Sequence, residues 1–127
     1  MKGSCLCGAV CFEVGQLEDP LTCHCIQCRK QTGHYFAAGR ARKDAVRFEK
    51  NASLAWYRAS DIATRGFCRD CGSTLFWRAD EGAHIRVALG ALDGDTGLHL
   101  GRHVWVDFKG DYYDLGDGLP ALKGEDA

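Results

Sequence analysis

No stretch of this chain is apolar for the ~20 residues that a membrane-spanning helix needs. Its charges almost cancel, 16 lysines and arginines against 17 acidic residues, for a formal net charge of -1. So weak a field argues against binding that rests on broad phosphate neutralisation, although it leaves room for a local patch. Neither nucleic acid nor a membrane is therefore the expected partner. Proline is scarce, with 2 residues, and no Pro-rich linker, internal repeat or low-complexity block divides the 127 residues. A single domain over 1–127 is the expectation at this length. The opening residues Met1-Lys2-Gly3-Ser4-Cys5 lack the apolar centre of a secretory signal, so the expected location is the cytoplasm, where thiols stay reduced.

Glycine and cysteine are what the sequence has in plenty. The 16 glycines fall mostly between short apolar runs, a punctuation that suits short strands joined by tight turns. The pattern predicts strands near 9–14, 34–38, 54–58, 64–68, 74–78, 84–89 and 103–108. Alternation such as Ile85 and Val87 against His84 and Arg86 supports them. One short helix is expected over 26–32, with Gly33 just past its end and Arg29 and Lys30 near its C-terminus. Residues 117–127, rich in glycine and acids, read as a loop-like tail with a frayed end. The fold class that emerges is mainly β.

Eight cysteines in a reducing compartment call for an explanation, and metal is the first to consider. Cys5-Leu6-Cys7 is one pair, Cys23-His24-Cys25-Ile26-Gln27-Cys28 supplies three more thiols, and Cys68-Arg69-Asp70-Cys71-Gly72 is a knuckle of the zinc-ribbon type. Adjacent Cys-x-Cys pairs are poorly placed for unstrained disulfides. The simplest division lets Cys5, Cys7, Cys68 and Cys71 close one zinc site. Cys23, Cys25 and Cys28 are left to hold a second zinc with one position open, as catalytic zinc sites do. From spacing alone the second site could borrow His24, His34, His84, His99 or His103, and both zincs could be structural. Redox activity of the Cys-x-x-Cys pair is a further alternative. Cys11, inside a strand pattern, reads as a buried apolar thiol. His24 stands between two ligands, where its side chain is expected to point away from the metal.

In these combined motifs the chain resembles the glutathione-dependent formaldehyde-activating enzyme (GFA) family, also called the CENP-V domain. The residues that carry the likeness are Gly3-Ser4-Cys5-Leu6-Cys7-Gly8, the run from Cys23 to Lys30 followed by Thr32-Gly33, and Phe67-Cys68-Arg69-Asp70-Cys71-Gly72-Ser73. His103-Val104-Trp105-Val106 and Gly116-Asp117-Gly118-Leu119-Pro120 also fit. The resemblance implies a zinc-stapled β-tent of small antiparallel sheets. It implies the same division of ligands, and catalysis at Cys23, Cys25 and Cys28. It further implies a carbon–sulfur lyase acting on a glutathione–aldehyde adduct such as S-hydroxymethylglutathione, with glutathione as the thiol co-substrate. The competing reading is a non-catalytic zinc-stabilised binding module. Around the open site, Arg29 and Lys30 could attract carboxylates, Trp77, Trp105, Tyr112 and Tyr113 could line a cleft, and His84 and His103 could carry protons.

Overall fold

In the computed structural model, which describes residues 1–125, ten strands form two sheets. The smaller sheet holds β1 (Lys2–Ser4), β2 (Cys11–Val14) and β5 (Val46–Lys50), in the order β1-β2-β5. The larger contains β3 (Glu18–Cys23), β4 (Phe36–Arg42), β6 (Leu54–Arg58), β7 (Ala63–Cys68), β8 (Thr74–Ala79), β9 (His84–Ala88) and β10 (Arg102–Val104), ordered β10-β3-β4-β9-β8-β7-β6. Every pairing is antiparallel except β10 with β3. The α-helix, α1 (Ile26–Thr32), follows β3. The protein is thus mainly β with one short α-helix.

Alternation places the core. On β2 the side chains of Phe12 and Val14 are buried while those between them are less so. Phe12 meets Phe76 of β8 edge-on at 5.0 Å between ring centroids, and Phe48 of β5 meets the same ring at 5.7 Å. The smaller sheet therefore closes over one face of the larger, with each buried ring worth roughly 1.5–3 kcal/mol of transfer free energy. The next residues along β8 and β9, Trp77 and Arg86, point to the opposite face, where they are cross-strand partners. That second face carries the cleft described below.

The structure departs from the sequence pattern in instructive places. The first predicted strand starts at Cys11, because residues 5–10 form a turn closed by Cys5 N–H to Val10 O at 3.0 Å. The second shifts toward Phe36–Arg42. The last stops at Val104, because Trp105 is left-handed (φ 57°) and Val106–Phe108 winds into a 3-10 turn. Strands β1, β3 and β5 were not anticipated. In β3 the Glu18-Asp19-Pro20 run has turn composition, and Asp19 does take φ 47° at an irregular register, held there by Arg86 and Arg102. Residues 117–125 have loop geometry but are tied down: Leu122 N–H donates to His103 O at 2.9 Å, and His103 N–H to Pro120 O at 2.8 Å. Residues 126 and 127 lie outside the described residues.

Candidate functional site

Strand alternation sorts the middle cysteine segment into two faces. Leu21 and Cys23 point to the cleft side of the large sheet, next to Val104 of β10 and Phe36 and Ala38 of β4. Thr22 and His24 point the other way and are fully buried. Beyond β3 the chain enters α1, and Cys25 is its N-cap, accepting a hydrogen bond from Cys28 N–H at 3.4 Å. Thiols at the N-cap and three residues on must face one another, so the Cys-x-x-Cys spacing is the geometry of a cap. Gly33, at φ 81°, ends the helix with its N–H on Arg29 O at 2.8 Å, a conformation that side chains resist. The three sulfurs of Cys23, Cys25 and Cys28 lie within 4.8 Å of one another.

A second cluster joins the two sheets. Cys5 and Cys7 come from the turn after β1, Cys68 ends β7, and Cys71 lies in the knuckle before β8. All four sulfurs lie within 4.8 Å of one another, with Cys5–Cys7 at 3.6 Å and Cys7–Cys68 at 3.8 Å. The knuckle turns at Gly72 (φ 77°), whose N–H donates to Cys68 O at 2.8 Å. Ser73 Oγ is 3.2 Å from Cys71 Sγ and accepts from Leu6 N–H at 2.9 Å, so the two halves of the cluster are also linked by a hydroxyl.

The donor sets suit zinc. Sulfurs at tetrahedral corners ~2.3 Å from an ion are about 3.8 Å apart, close to the two separations above. The thiols also strain against one another when they must share protons. Hydrogen bonds to Ser73 pull Cys71 down to about 5. Cys7 rises to about 12: a backbone bond at Ala9 favours its thiolate, but desolvation and its sulfur neighbours outweigh it. In the other cluster, hydrogen bonds with Cys23 and Cys28 lower Cys25, while bonds with Cys25 and Cys28 raise Cys23. Sulfurs this close cannot all be anions without a cation, and a divalent metal would relieve either cluster.

The three-thiol cluster opens on the cleft of the second sheet face. This cavity, about 390 Å³, is lined by all three of its cysteines. Its walls are mostly apolar, with Leu21, Phe36, Ile62, Trp77, Trp105 and Phe108 prominent, and Arg65, Arg86, Gln27 and Glu125 supply polar groups. Cys5 of the four-thiol set lines a separate cavity of similar volume, about 400 Å³, between the β1 turn and residues 88–93, and Cys7, Cys68 and Cys71 are not among its lining residues.

A family model described as glutathione-dependent formaldehyde-activating enzyme matches residues 1–107. The chain belongs to the GFA family. It is also similar to an uncharacterized lyase of Schizosaccharomyces pombe, 30% identical over 117 residues that cover 90% of this chain and 84% of the relative. A crystal structure of a Rhodobacter sphaeroides protein superposes with a TM-score of 0.67 at 28% identity, over 96% of this chain and 99% of that one.

Several expectations for the GFA site need correction. Trp77 and Trp105 line the cleft, but Tyr112 and Tyr113 do not, nor do Arg29 and Lys30. Arg29 instead donates from Nε to Phe108 O at 3.1 Å, bracing the 3-10 turn at the cleft rim. Cys11 is only half-buried and its thiol meets Gly8 O at 3.2 Å. His84 is exposed on β9, and among the described residues no histidine joins either sulfur cluster. His103 is buried behind β3 rather than in the cleft. Its Nε2 faces Asp117 at 2.8 Å and its Nδ1 is 2.5 Å from Thr22 Oγ1, which lies 2.9 Å from His24 Nε2. Tyr113 Oη closes this chain on His24 Nδ1. Burial, aided by the charges of His103, His34 and Lys109, pushes His24 down to about 4, so it is neutral at pH 7. The network fixes the cysteine segment from behind. Sequence reading missed it, because His103, Asp117 and Thr22 meet only through the parallel β10–β3 pairing. Arg65 was missed as well.

Proposed function

We propose that this GFA-family chain is a zinc-dependent carbon–sulfur lyase, acting on the adduct of glutathione or a similar small thiol with an aldehyde. S-hydroxymethylglutathione is the named case. One observation carries the reading: three thiols suited to a metal form part of the wall of a ligand-sized cleft, while the four-thiol set is kept apart from that cleft. The family description and the relative named as a lyase support the same class. Cys23, Cys25 and Cys28 would hold the zinc, which when bound supplies a soft electrophile that favours a thiolate as its remaining ligand at neutral pH.

The chain's own residues do the rest. Leu21, Ile62, Trp77, Trp105 and Phe108 shield the sulfur from water, and the cleft holds the two reactants side by side, replacing a bimolecular encounter. In the breakdown direction the carbon–sulfur bond breaks and sulfur keeps the electron pair. The hydroxyl then loses its proton to solvent as the carbonyl forms. In synthesis the thiolate adds to the carbonyl carbon, and the oxygen takes a proton back. A thiol already ionised needs no strong base, which agrees with a cleft whose described carboxylate is Glu125, paired with Arg86 at 3.7 Å. Exchange NMR of formaldehyde with glutathione tests this. The zinc-loaded protein should speed interconversion at catalytic concentration, and Cys25→Ser should abolish the effect. Equal rates with and without the protein, under conditions where both clusters carry metal, would refute it.

A further inference from the structure

Arg65 is a buried cation without a carboxylate. It is 4% exposed, and among the described residues no acidic side chain lies within ion-pairing distance of it. The other arginines at the cleft face are treated differently: Arg86 and Arg102 share Asp19, each at 2.9 Å. The Arg65 guanidinium instead spreads over one face of α1. It donates to Gln31 Oε1 at 2.7 Å, to Gln27 Oε1 at 3.3 Å and to Cys28 Sγ at 3.4 Å, while its Nε is buried with no partner. Two neutral amides do not balance a desolvated positive charge, and such a charge is costly unless an anion lies nearby. The nearest anionic chemistry is the three-cysteine set, which Arg65 touches directly and with which it lines the cleft.

Simple charge counting then gives the residue a role. Three cysteinates on a divalent ion leave one negative charge, and a substrate thiolate would make it two. A fixed guanidinium at the edge of that group brings each total down by one. In a cleft with few other polar groups, such an offset acts at short range and low dielectric. We propose that Arg65 is a positioning residue that tilts the three-thiol centre toward an anionic fourth ligand, and so favours a substrate thiolate over a neutral donor. This inference rests on the thiol-capture reading above. The bland alternative is that Arg65 only fastens α1 to β7.

The test uses the full chain loaded with cobalt(II), whose visible spectrum reports its ligands. Two probes are titrated: 2-mercaptoethanol, whose bound charge is on sulfur alone, and imidazole, a neutral donor. Arg65→Met should weaken thiol binding tenfold or more, equivalent to about 1.4 kcal/mol, while imidazole binding stays within about threefold. Arg65→Lys, which keeps the charge and gives up the fork, should restore the thiol-to-imidazole ratio. Equal losses for both probes would show a merely structural residue and overturn the inference. So would unchanged thiol binding in Arg65→Met. If Arg65→Met does not fold, the neutral but polar Arg65→Gln takes its place: a ratio tenfold below wild type supports the charge role, and a wild-type ratio overturns it. A wild-type spectrum indifferent to every thiol would defeat the thiol-capture reading, and this inference with it. A normal wild-type response with the same ratio in all variants would defeat this inference alone.

Discussion

The two sulfur clusters are built from similar parts but placed differently in the chain and against the cleft. The four-thiol set draws on residues 5–7 and 68–71, so a metal held there would pin the smaller sheet to the end of β7. The three-thiol set comes from six consecutive residues, 23–28, and pins nothing distant by itself. Its support is indirect: the cap of α1, the Arg65 fork, and the Thr22–His24–His103–Asp117 chain behind β3. β7 serves both, since Arg65 and Cys68 are three residues apart on it, roughly 10 Å by strand rise. On the proposed function, sequence separation between ligands would separate the site that serves stability from the one that serves chemistry. A metal that closes a long loop adds to folding energy, whereas one held by a local segment can be exchanged without unravelling the chain.

The largest way to break the comparison is Cys68→Ser. Cys68 itself is fully buried, and the domain's whole stability is expected to be about 5–15 kcal/mol. Losing the four-thiol metal should remove the cooperative thermal transition by calorimetry or circular dichroism. A variant that still melts sharply near the wild-type temperature would show that the cluster is not a staple.

Cys25→Ser probes the other side. Serine is itself a good N-cap, so the Cys25 contact with Cys28 N–H has a replacement and α1 should survive. We expect a folded protein whose melting temperature falls by less than about 5 °C, with lyase activity lost. Collapse of the fold, as in Cys68→Ser, would erase the distinction between the clusters.

A smaller effect sharpens the view of the scaffold. Burial alone would raise the Asp19 carboxyl, but hydrogen bonds and charges from Arg102 and Arg86 outweigh it and hold it below its usual value. A carboxyl lowered on folding stabilises the fold at all pH above its unfolded value, ~3.9, and the benefit fades only as pH falls through the folded one. Asp19→Asn should therefore cost about 1–2 kcal/mol, and the gap to wild type should be constant from pH 8 to pH 5. A gap that changes across that window would assign the effect to another group.

How much of this could be read from sequence followed from range. The helix over 26–32 and its Gly33 stop were legible because caps are local, and the cysteine groupings because ligands cluster along the chain. Strand β3 was hidden by Asp19 and Pro20, whose turn character is real but is overridden by pairing with β4 and β10. Arg65 sat within a predicted strand with nothing to mark it. Its meaning depends on Gln27 and Gln31, one helical turn apart, arriving from elsewhere in the chain to meet it. His103 had seemed a candidate for the cleft because only the parallel β10–β3 register reveals which face it takes.

The most direct test of the account is to count tightly bound zinc per chain in the wild type, in Cys25→Ser, and in the wild type after brief exposure to a chelator. The account predicts two ions in the first and one in each of the others, with the remaining ion held by Cys5, Cys7, Cys68 and Cys71. A Cys25→Ser protein that keeps both ions, or a chelator that strips both at the same rate, would contradict it.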